Sequence, residues 1–79
     1  MRVAEAEDAL SVLIKSFGYE IYNIGDAGIT LRKEGQHRIV IQLPYGAPTI
    51  PEDVLAHVFQ HADFTMDTFW AAFDKYLAE

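Results

Sequence analysis

The sequence predicts a two-layer α+β domain of order α-β-β-β-α-α, with three helices on one face of a three-stranded antiparallel sheet. Three observations carry this. Apolar residues recur at helical spacing over residues 4–17 and again after Thr49. Between these stretches the apolar period falls to two, from Tyr19 to Leu43. Glycine and proline stand where the period changes.

The first helix spans 4–17. Ala6, Leu10, Leu13, Ile14 and Phe17 form its inner stripe, its first turns are acidic, where the helix dipole favours carboxylates, and Gly18 ends it. Tyr19–Ile24 and Ile29–Arg32 are strands joined by the turn Gly25-Asp26-Ala27-Gly28, a length that pairs Ile24 with Ile29 and Tyr22 with Leu31. A three-residue loop, Lys33-Glu34-Gly35, leads into a third strand, His37–Leu43, sets Ile29 opposite Ile39 and gives Gly35 a left-handed conformation. The buried sheet face is then Tyr22, Ile24, Ile29, Leu31, Ile39, Ile41 and Leu43. The opposite face presents Ile21, Asn23, Thr30, Arg32, Arg38, Val40 and Gln42.

Pro44, Gly46 and Pro48 interrupt the third strand. Thr49 and Glu52 read as a capping box for a second helix running to about His61, with Val54, Leu55, Val58, Phe59 and Ala62 inward. Thr65 caps a third helix from Met66, with Phe64 stapled on Phe69 and Met66, Phe69, Trp70, Phe73 and Leu77 inward.

A 79-residue chain is one domain. An apolar fraction of 51% suits a folded core and excludes a disordered chain. The chain has no cysteine, which removes disulfides and thiolate metal sites and fits a cytoplasmic setting. The N-terminus carries acids where a signal peptide needs a basic start, and no apolar run approaches the ~20 residues of a membrane span. A monomer without cofactor or metal is expected, with homodimerisation through the sheet face as the weaker alternative.

Charge is the strongest functional signal. The net charge is −6, and it is distributed unevenly. Residues 1–31 sum to −3, residues 32–50 to +2 and residues 51–79 to −5. Glu5 and Asp8 lie on the first helix, Glu52 and Asp53 open the second, and Asp63 and Asp67 flank the start of the third. Helix dipoles and solubility explain each acid singly, but not the shortage of lysines on the outer helix faces. Such a surface repels nucleic acid and attracts basic proteins, including those that bind nucleic acid.

The order of elements, together with Phe17-Gly18-Tyr19 and the run Ala62-Asp63-Phe64-Thr65-Met66-Asp67-Thr68-Phe69, resembles the HicA-type family of small toxin ribonucleases. The resemblance implies a catalytic histidine at the start of the second strand. This chain has Asp26-Ala27-Gly28-Ile29 there, with no imidazole to carry a proton. In size, charge and lack of a catalytic set the chain is also similar to small phage inhibitors such as anti-CRISPR proteins.

The remaining candidates are weaker. His57 and His61 have the i, i+4 spacing of a metal pair, with Asp53 or Asp63 as third ligand, but the set is incomplete and both read as solvated. His37 lies at a hairpin with no partner carboxylate fixed near it by the sequence. Arg32 and Arg38 on the sheet, with Tyr45 exposed in the Pro/Gly loop, form an alternative contact surface, and Tyr19 is the aromatic best placed to stack a base. The expected function is therefore a non-catalytic acidic protein that occupies a basic nucleic-acid-binding surface. The alternative is an HicA-like RNA-binding protein or ribonuclease using Arg32, Arg38 and His37.

Overall fold

A computed structural model describes residues 2–25, 28–41 and 49–79. The elements are β1 (Val3–Glu5), α1 (Ala6–Phe17), β2 (Glu20–Gly25), β3 (Gly28–Arg32), β4 (Ile39–Ile41), β5 (Thr49–Pro51), α2 (Glu52–Val58) and α3 (Met66–Ala78). The fold is α+β, with three helices and an antiparallel sheet of order β2-β3-β4. A separate two-stranded ribbon, β1-β5, is an addition to the expected architecture.

That ribbon overturns two expectations. Ala4 and Glu5 belong to a strand rather than to the first helix, and Thr49 pairs with Glu5 instead of capping α2. Pro51 takes the N-cap position of α2, without a side-chain cap bond. The reason is tertiary: Ala4 pairs with Ile50, both are buried, and each helix starts directly from its ribbon strand.

Local signals at the other helix ends hold. Gly18 closes α1 with φ 77°, and its N–H donates to the Leu13 carbonyl. Thr65 caps α3, its side chain accepting from the Thr68 N–H at 3.2 Å. Thr65→Ala should lower stability by about 1 kcal/mol, read as a shift in the urea midpoint at unchanged slope. The Phe64 ring stacks on Phe17 at 4.2 Å and meets Phe59 at 5.0 Å, tying the end of α1 to the α2–α3 turn. The second helix stops at Val58, short of His61.

Sheet register departs from expectation in two ways with opposite consequences. β3 and β4 pair Leu31 with Ile39 and Ile29 with Ile41, two residues away from the expected Ile29–Ile39 pairing. The loop is longer, although Gly35 does take φ 79° as expected. A shift of two preserves the face of every side chain, so Leu31, Ile39 and Ile41 are buried as expected. Between β2 and β3 an irregularity separates Ile21↔Leu31 from Asn23↔Thr30, leaving Tyr22 unpaired in a bulge. One extra residue exchanges faces. Ile21 moves to the inner face opposite Leu31, and Tyr22 moves to the outer face.

The core gathers Ala9, Val12 and Leu13 of α1, Leu31, Ile39 and Ile41 of the sheet, Leu55 and Phe59 of the α2 region, and Phe69, Trp70 and Phe73 of α3. Ala9 and Val12 were missing from the expected stripe, whereas Ile14, Val54 and Leu77 from the expected stripes are exposed. The largest departure is β2, which is exposed at every residue, Ile24 reaching 69%. Of the expected inner face, Tyr22 and Ile24 are thus not buried, and Leu43 lies outside the described residues.

Candidate interaction surfaces

The unpaired acids sit mainly at helix starts. Because β1 and β5 run antiparallel and each feeds a helix, α1 and α2 begin at opposite ends of the ribbon. Glu5, Glu7 and Asp8 therefore lie at one end, and Glu52 and Asp53 at the other. Asp67 is in the first turn of α3, one turn before Trp70, whose indole N–H donates to Glu52 Oε1 at 3.1 Å. Asp53 Oδ1 accepts from the Val54 N–H at 3.0 Å. Asp63 is paired with Lys33, at 3.6 Å.

Eleven of the twelve acids are described, and three of these are ion-paired: Glu20 with Arg32, Asp63 with Lys33 and Asp74 with Arg2. The other eight, which include Glu5, Asp8, Glu52, Asp53 and Asp67, have no cation within ion-pair distance among the described residues.

The pair formed by Arg2 is structural in its geometry. The guanidinium donates to both Asp74 oxygens, at 2.5 and 3.2 Å, and lies 4.1 Å from the centre of the Trp70 ring. The Arg2 carbonyl also accepts from the Glu52 N–H at 2.9 Å. One residue thus joins the start of β1 to α3 and to the first turn of α2. Hydrogen bonding from Arg2 holds the Asp74 carboxyl below the usual carboxylate range. A lowered folded-state pKa means that the pair stabilises the fold above the unfolded pKa, and that this contribution is lost as pH falls through the folded value. Asp74→Asn should therefore be less stable than the parent at neutral pH, and the gap should close on acidification below about pH 4. Urea titrations of both proteins across that range check it.

The outer sheet face is organised around Tyr22, which the sequence placed inside. Arg32 and Arg38 stand 4.8 and 4.2 Å from its ring centre. The Arg32 Nε–H donates to Glu20 Oε1 at 2.6 Å, so Arg38 is the cation of this group without a carboxylate among the described residues. Glu20, Arg32, Lys33, Glu34, Gln36 and Arg38 line an open cleft of about 350 Å³. Guanidinium groups already occupy the Tyr22 ring, which reduces its use as a stacking platform. Tyr19, the expected stacking residue, is buried, and its hydroxyl has no hydrogen-bond partner among the described residues. Burial raises the Tyr19 pKa, helped by nearby Asp63. Tyr45 lies outside the described residues.

The histidines are rearranged. α2 ends before His61, so the i, i+4 relation to His57 is broken. His61 instead approaches His37, with ring centres 5.5 Å apart. Among the described residues no group of three or more His, Cys, Asp or Glu is placed to hold a metal. No described helix is long and apolar enough to cross a membrane.

Tyr22, Glu20 and Gln36 were missed as surface residues. The bulge that exposes Tyr22 leaves no mark in an alternating apolar pattern, and the Glu20–Arg32 pair depends on the strand register. Compared with known proteins, the chain matches no family model, no curated protein and no solved structure.

Proposed function

We propose that this protein is a non-catalytic inhibitor that docks its acidic surface on a basic, nucleic-acid-binding protein and occupies the place of the nucleic acid, as anti-CRISPR-like proteins do. It acts in the cytoplasm and needs no cofactor. The observation that carries this reading is the set of eight carboxylates without a cationic partner among the described residues, six of them at the starts of three helices. A surface with that imbalance speeds encounter with a positive partner and resists nucleic acid itself. Glu5 and Asp8 form one contact region, and Glu52, Asp53 and Asp67 the other. Asp63 contributes less because Lys33 screens it.

Less supports an RNA-acting role. Arg32 is neutralised by Glu20, and His37 faces His61 rather than a carboxylate. The experiment is retention of purified basic nucleic-acid-binding proteins on the immobilised chain, with duplex DNA as competitor. The reading expects retention of a DNA-free partner and its release by added DNA. Retention that DNA does not disturb would contradict it, and RNA cleavage lost in His37→Ala would favour the alternative.

A further inference from the structure

The strand β2 forms an edge of its sheet, hydrogen-bonded to β3 and to no other described strand. Natural edge strands are protected by charge, proline, a bulge or cover, and among the described residues β2 beyond Glu20 has only the bulge at Tyr22. Here Ile21-Tyr22-Asn23-Ile24-Gly25 is an uncharged run of five residues, exposed throughout, in a chain of net charge −6. Its inner face is also unprotected. Ile21 and Ile24 lie opposite Leu31 and Ile29 on the face that the helices cover elsewhere, yet they are 46% and 69% exposed.

The bulge gives this edge an unusual symmetry. In a regular strand Ile21 and Ile24 would point to opposite faces. With Tyr22 and Asn23 both outward, the pattern along the strand reads in, out, out, in, which is the same from either end. Such a strand is complementary to itself when turned end for end.

We propose that two copies of the chain join edge to edge through β2, antiparallel about a twofold axis, making one six-stranded sheet. The axis passes between Tyr22 and Asn23, so that Ile21 meets the partner's Ile24 and Tyr22 meets the partner's Asn23. The register within each copy then dictates the rest. Ile39, Leu31 and Ile21 of one copy continue into Ile24, Ile29 and Ile41 of the partner, an unbroken aliphatic row across six strands. The twofold repeats that row once.

Charge favours a second copy over a basic partner at this edge. The one charged residue of β2, Glu20, is neutralised by Arg32 of its own chain and would face the partner's Gly25, so no like charges oppose each other. Six of the eight unpaired acids belong to the helix starts, Glu34 lies in the β3–β4 turn and Glu79 follows α3, so none of them is in β2. A dimer departs from the monomer expected from the sequence. It is independent of the inhibitor reading, which rests on those acids.

The test is the mass of the full chain in solution, by light scattering or sedimentation, for the parent and for Ile24→Lys. The parent is expected to reach twice the chain mass, and Ile24→Lys to weaken the dimer about tenfold or more by placing a charge in the aliphatic row. Ile24 is exposed, so the variant should keep the parent's circular dichroism and melting temperature. Register is tested by disulfide trapping, since the chain has no cysteine of its own. Ile21→Cys mixed with Ile24→Cys should give cross-linked heterodimer in preference to either homodimer, because only that pair is directly opposed. A chain that stays monomeric at millimolar concentration, a dimer indifferent to Ile24→Lys, or trapping without heterodimer preference would each overturn the proposal.

Discussion

Phe69→Ala is expected to lower stability by about 3–5 kcal/mol, the largest loss from any single side chain in this fold. Phe69 is fully buried and stands at the meeting point of every helical region. Its ring centre lies 5.0 Å from Phe59, 5.2 Å from Trp70, 5.8 Å from Phe73 and 6.5 Å from Phe17. Truncation leaves a cavity walled by rings that are themselves fixed by other contacts, so collapse is restricted. A chain of 79 residues has a total stability of only about 4–12 kcal/mol at the usual 0.05–0.15 kcal/mol per residue. The variant should therefore be partly unfolded at ambient temperature, with a urea midpoint displaced far toward zero. Leu77→Ala provides the contrast. Leu77 is 55% exposed although it shares the helical spacing of Phe69, and its loss should remain within about 0.5 kcal/mol. Equal effects at the two positions would contradict the packing described here.

The second large effect concerns association. Replacing Glu5 with Gln and Asp8, Asp53 and Asp67 with Asn removes four negative charges and takes the net charge from −6 to −2. Each amide keeps an acceptor oxygen, so the bond from the Val54 N–H to residue 53 can persist. The helix-dipole contribution lost is about 0.3–1 kcal/mol per site at low ionic strength. Association with the basic partner should slow by about 10–1,000-fold, because steering depends on the summed field rather than on any one contact. Dissociation should change less, and stopped-flow mixing separates the two rates. An unchanged association rate in a folded quadruple variant would mean that these carboxylates do not face the partner.

Much of the fold is legible in the sequence where the cause is local. Gly18 and Thr65 end and begin helices through their own backbone and hydroxyl chemistry, and both act as the residue type predicts. The inner face of β3 and β4 follows from alternation alone, and it survives a register displaced by two residues. What is not legible is set by distant parts of the chain. β1 and β5 are three residues each and exist only because each finds the other across some 45 residues. Tyr22 and Ile21 change faces because of one extra residue that no periodicity marks. The amphipathic pattern of β2 is real, yet the helices do not extend over it, so Ile24 is outside the core that its pattern suggests. The same division holds at the surface. That acids gather at helix starts can be read directly, but the capture of Asp63 by Lys33, of Asp74 by Arg2 and of Glu52 by the Trp70 indole depends on tertiary contacts.

The salt dependence of partner binding tests the central claim most directly. Affinity of the intact chain for a basic nucleic-acid-binding protein, measured between about 50 and 200 mM salt, should fall steeply and in proportion on a log–log plot, as for contacts made through screened charges. The quadruple variant should show a shallower slope over the same range. An affinity that stays constant as salt rises would contradict the account, because carboxylates facing a cationic surface cannot escape screening.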